Sequence, residues 1–195
     1  GAGPQPGGAG TIMMRDAGQT YGDMLIDNKG IDAGPASTPL VTLATGSIIG
    51  LGTNTVTLSE PLEPERYGGY LVNLGLDQGG PGLLDDLIYP IADNTVVELT
   101  LDTTENVALY ATQGATYRSI FIFRNLEVRN GARLSTEGDI VVLEGDISSD
   151  DVETFTLTGG VSCHRLDLNE GSHLALSAGS ELEVTQILQG DAQET

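Results

Sequence analysis

The chain reads as an all-β protein, and within that class as a right-handed parallel β-helix or a closely related β-solenoid. Three observations point there. No window sustains apolar spacing at i, i+3, i+4 and i+7, whereas Thr, Val, Ile and Leu recur in strand alternation throughout. The 27 glycines and 8 prolines stand between apolar runs, where turns belong. Finally, two passages answer each other: Leu126, Val128, Gly131 and Leu134 recur forty positions later as Leu166, Leu168, Gly171 and Leu174. A strand with Leu126 and Val128 on one face and Glu127 and Arg129 on the other cannot bury its apolar side alone, and stacking copies would make a continuous core. A period of this length suits two coils of about twenty residues each, with Thr154 to Thr158 in the intervening coil. The alternative architecture is a β-sandwich whose hairpins share a pattern.

Taken in order, residues 1–10 are Gly, Pro, Ala and Gln, with no core-forming side chain until Thr11, and read as an arm or linker. Thr11 to Met14 is a short apolar run. In Tyr21-Gly22-Asp23-Met24-Leu25-Ile26-Asp27-Asn28, Met24 and Ile26 face inward, and Asp27-Asn28 with Gly30 supply turn chemistry. The phrase Gly7-Gly8-Ala9-Gly10-Thr11-Ile12, followed by Tyr21 to Gly30, resembles a module of very large secreted bacterial surface proteins of the adhesin type. That resemblance implies coils of a β-helix stalk and brings no catalytic residue.

Val41 to Leu43, Ser47 to Ile49 and Thr53 to Leu58 follow as short strands, Val56 and Leu58 inward and Thr55 and Thr57 outward. Residues 60–90 break the rhythm with Pro61, Pro64, Gly68, Gly69, Gly79, Gly80, Pro81 and Gly82. Regularity returns with Val97, Leu99 and Leu101 on the inward parity, then Asn106 to Ala111, and Tyr117 to Phe123 with Ile120 and Ile122 in register for the core. The expected organisation is one solenoid domain over residues 11–190 with an irregular excursion at 60–90, and a polar tail at 191–195.

Charge narrows the partners. With 28 acidic residues against 8 basic ones the formal net charge is −20, and without a basic footprint nucleic acid and anionic membrane surfaces are poor candidate partners. No apolar run is long enough to insert into a membrane. The single cysteine, Cys163, forbids an intrachain disulfide. The chain opens on Gly1 without a signal peptide and reads as a mature product or an excised piece.

Catalytic chemistry is thin. Cys163 beside His164 projects to the opposite strand face, and His173 with these two makes no zinc pattern. No nucleotide loop is present. Polysaccharide cleavage would require two carboxylates astride a glycosidic bond; Asp85-Asp86 and the stripe Glu127, Arg129, Arg133, Glu137 have the residue types without the demonstrated spacing. No cofactor is expected. Ca²⁺ alone has a candidate loop, Asp146, Asp150, Asp151 and Glu153 with Ser149, lacking both the nonapeptide and EF-hand spacings.

The excursion holds the expected contact site. Three of the six tyrosines, Tyr67, Tyr70 and Tyr89, fall in it, and Arg66 with Tyr67 and Tyr70 is the candidate patch for a ligand or a neighbouring subunit. The functional expectation is a non-catalytic structural and adhesive segment of an exported bacterial surface or fibre protein, located extracellularly. Its partners would be neighbouring domains, copies of the same chain, or a surface glycan or protein. The alternative is a carbohydrate-active or carbohydrate-binding β-helix domain.

Overall fold

A computed structural model describes residues 10–15, 17–29, 37–75, 87–129 and 132–143, together with the backbone of the strands that follow. The strands are β1 (Gly10–Met14), β2 (Asp23–Asp27), β3 (Thr38–Pro39), β4 (Gly46–Leu51), β5 (Thr55–Leu58) and β6 (Leu71–Asn73). Next come β7 (Ile88–Asn94), β8 (Glu98–Leu101), β9 (Thr116–Phe123), β10 (Leu126–Arg129), β11 (Arg133–Ser135) and β12 (Asp139–Val142). The last four are β13 (Thr154–Leu157), β14 (Gly160–Leu168), β15 (His173–Leu176) and β16 (Glu181–Gln189). The chain forms two compact units, one of residues 42–121 and one of residues 1–41 with 122–195.

The unit of residues 42–121 is a closed antiparallel barrel of six strands. β4 pairs with β5, β5 with β8, β8 with β7, β7 with β6, β6 with β9, and β9 returns to β4 through Tyr117 opposite Gly46. The connections explain the direction. Only Gly52, Thr53 and Asn54 separate β4 from β5, and only Thr95, Val96 and Val97 separate β7 from β8. Loops this short permit a hairpin, whereas parallel neighbours need a crossover of a dozen residues or more. Register shifts between Ile48 and Gly50 and between Ile91 and Asp93 bend two strands, as closure requires. Ile48, Val56, Leu58, Ile91, Leu99 and Tyr117 are all almost fully buried. Eight strands leave an interior that side chains fill or that holds one small ligand, and six strands enclose less, so contact chemistry is sought on the outside of the barrel.

In the other unit, β1 is antiparallel to β2, and β2, β10, β13 and β15 form a parallel ladder. A second set of parallel pairings joins β11 to β3 and to β14, and β14 to β12 and to β16. Ile26, Leu126, Val128, Ala132, Leu134 and Ile140 are buried there. Asp27 ends β2 as expected: its carboxylate accepts the Lys29 amide at 2.7 Å, and Lys29 adopts a left-handed φ of 52°.

The expected single parallel β-helix, with its β-solenoid and repeat, is therefore corrected. Residues 42–121 form an antiparallel barrel, so no solenoid runs through 11–190, and a sandwich does not describe it either. The forty-residue period is not a structural one. Leu126 lies beside Met24 and Phe155, whereas Leu166 lies beside Ile140 and Ile187 in a different ladder. Alternation followed by a glycine turn marks any strand end, so similar strings occupy non-equivalent places. Val97 is corrected too: it is 44% exposed, because residues 95–97 are the β7–β8 turn, in which Thr95 Oγ1 accepts the Glu98 amide at 3.1 Å. Val56, Leu58, Leu99, Leu101, Ile120 and Ile122 are buried on the expected parity.

Candidate contact site on the barrel

The segment between β5 and β6 begins with Pro61 and Pro64, which cannot donate to a ladder. It is pinned to the β7–β8 turn instead. Leu62, 6% exposed, donates its amide to Val96 O at 2.6 Å, and Glu65, at a left-handed φ of 59°, donates to Asn94 O at 3.0 Å. The main fastening is the Asn94 side chain. Its Oδ1 accepts the amides of Arg66 at 3.1 Å and Tyr67 at 2.9 Å, and its Nδ2 donates to Glu63 O at 2.7 Å and Thr95 O at 3.0 Å. One buried amide thus satisfies four backbone groups of two loops, which fixes their relative placement.

Past Arg66 the chain turns at Gly68 and Gly69. Gly69, with φ of 85°, permits a conformation that a side chain would strain, and Tyr70 N closes the turn on Tyr67 O at 3.0 Å. The edge of the barrel takes over as Ile91 N donates to Tyr70 O at 2.8 Å.

The three expected contact residues thus differ in environment. Tyr67 is a core residue, 6% exposed, its hydroxyl 3.5 Å from Thr42 O. Tyr70 is half-buried and meets Tyr67 edge to face, with centroids 5.6 Å apart at 83°. Arg66 is exposed, its guanidinium 5.9 Å from the Tyr67 ring centroid and paired with the Glu63 carboxylate. Hydrogen bonding to Glu63 holds the guanidinium still more firmly protonated than usual. What faces solvent is an Arg–Glu pair and part of one aromatic ring on a buried aromatic base. That can hydrogen-bond a carboxylate or an amide and stack against a flat surface.

Tyr89 does not join them. It sits at the start of β7 while Asn94 ends it, and its hydroxyl donates to Glu105 Oε2 at 3.2 Å, with burial raising its pKa. Asp85, Asp86 and the Ca²⁺ candidates Asp146, Asp150, Asp151 and Glu153 lie outside the described residues, as do the side chains of Cys163, His164 and His173. Among the described residues no group of three or more His, Cys, Asp or Glu could hold a metal, and no helix is long and apolar enough to cross a membrane.

Sequence reasoning missed two features. Asn94, the last residue of β7, is not set apart in the sequence from the polar residues Asp93 and Thr95 beside it. The other is Asp23, whose carboxylate takes both Arg124 Nε at 2.8 Å and Nη2 at 2.6 Å, with Asn125 Nδ2 at 2.9 Å. No protein-family model, curated protein or solved structure matches the chain.

Proposed function

We propose that the chain is a non-catalytic contact module of an exported bacterial surface protein, and that it engages its ligand through the turn at residues 63–70. The observation that carries this reading is the fastening of that turn by Asn94, which holds exposed Arg66 and half-buried Tyr70 on a barrel with a buried apolar core. Arg and Tyr are the residue types that dominate binding energy at interfaces, and a pre-ordered loop loses little entropy on binding. Tyr67 enters as the base under the patch rather than as a contact. The resemblance of Gly7 to Gly30 to adhesin-type modules agrees with location at the cell surface.

The test is a paired comparison of full chains on host cells and glycan arrays. Arg66→Ala with Tyr70→Ala is expected to weaken binding at least tenfold while leaving the melting temperature within a few degrees. Binding unchanged in the double variant would refute the reading. Turnover of pectins, alginates or glucans, with or without Ca²⁺, would refute its non-catalytic part.

A further inference from the structure

The edge of the sheet at β1 is independent of the turn described above. All five residues of Gly10–Met14 are exposed, and Ile12, Met13 and Met14 each keep 51% of their surface. Alternation along the strand places Ile12 and Met14 on one face and Met13 on the other, so apolar surface flanks the strand on both sides. β1 pairs with β2 on one side, and among the described residues no strand pairs with the other. An apolar, charge-free edge of this kind is what proteins ordinarily blunt with a lysine, a proline or a bulge.

We propose that β1 is the contact between two copies of this chain, paired antiparallel across a two-fold axis at Ile12. The strand is then its own complement: Ile12 faces Ile12 of the other copy, Thr11 faces Met13, and Gly10 faces Met14. Charge leaves this edge open to a second copy. At a net charge of −20 two copies repel, yet β1 carries no charged side chain, and Arg15, which continues it, opposes the charge of the incoming copy. The nearest carboxylates on the adjoining strand, Asp23 and Asp27, are held one strand back from the contact. The two β2 strands would stand three strand spacings apart, about 14 Å, beyond the screening length of about 8 Å at physiological salt. Asp23 is moreover paired with Arg124. A single five-residue edge covers less than the ~800 Å² per partner of a tight complex, so the dimer is a weak one that dissociates on dilution.

Sedimentation velocity of the full chain over a wide concentration range at physiological salt reads this directly. The wild-type protein should shift from monomer to dimer as concentration rises. Ile12→Lys and Ile12→Glu each place like charges face to face on the axis and should weaken association at least tenfold with unchanged melting. An equimolar mixture of the two should recover a dimer, because Lys then faces Glu. A wild-type chain that stays monomeric throughout overturns the proposal. So does a dimer that Ile12→Lys leaves intact, or two folded single variants whose mixture does not associate.

Discussion

Tyr117 is the side chain at which the barrel is least comfortable. It is completely buried, and its hydroxyl, although next to the Glu60 backbone, completes no hydrogen bond of good geometry. Burial first, and the Glu60 charge second, push its pKa from 10.0 up to about 12. A phenol is neutral when protonated, so a raised folded pKa means that the folded state prefers the protonated form. The associated stability is intact below pH 10.0 and is lost as pH rises through about 12. Two pH units correspond to about 2–3 kcal/mol. Tyr117→Phe removes both the lone hydroxyl and the titration. It should leave stability at neutral pH within about 1 kcal/mol of wild type and flatten the alkaline limb of a urea-denaturation series. A steep alkaline limb that survives the substitution would assign that limb to another group.

Among the elements, direction decides what the sequence could reveal. Inward parity was legible in β5 and β8 because Val56, Leu58, Leu99 and Leu101 alternate with polar residues on strands whose one face is buried. Strand direction was misjudged, because short strands at close spacing were expected to stack as parallel coils, whereas the three-residue connections β4–β5 and β7–β8 close antiparallel hairpins. Partner choice was illegible for a similar reason, since Leu126 and Leu166 share a local pattern but lie in different ladders. The candidate site stood out in the sequence only as a composition, Arg66, Tyr67 and Tyr70 in a Gly/Pro-rich stretch, while the burial of Tyr67 and the fastening of the turn did not. Asn94 lies 31 residues from Glu63, and nothing local announces the bond. The same holds for β2 and the residues just before β10, joined by Asp23 and Arg124 across 101 positions. Hydrogen bonding to Arg124 is the main cause of the lowered Asp23 pKa, and the carboxylate keeps only 21% of its side-chain surface. A depressed folded pKa contributes stability that is present above the ordinary value of 3.8 and lost as pH falls through the folded value. Asp23→Asn should therefore cost about 1–3 kcal/mol at neutral pH and lessen the acid sensitivity. Equal acid limbs in the two proteins would show that the pair contributes nothing to acid stability.

At the scale of the whole molecule the dominant force beyond packing is self-repulsion. With 28 acidic and 8 basic residues, folding gathers a charge of −20 into a smaller volume than the unfolded chain occupies, and the repulsion opposes folding. Salt acts on this in two opposing ways. It screens the many long-range repulsions, and it weakens the attraction of Asp23 for Arg124, which is bidentate, short and partly buried and so is screened less. The repulsion therefore wins at neutral pH. Raising NaCl from about 10 mM to about 150 mM shortens the screening length from about 30 Å to about 8 Å. If this recovers about 1–2 kcal/mol, the melting temperature rises by about 2–8 °C for a chain of this size. The sign should depend on pH. Near the isoelectric point of 4.1 the net repulsion is gone, while the lowered pKa of Asp23 keeps its pair with Arg124 charged, so added salt should leave the melting temperature unchanged or lower it slightly. Thermal melts by circular dichroism across a grid of salt and pH read both slopes. A melting temperature that falls with salt at pH 7 would show that local ion pairs outweigh the net charge.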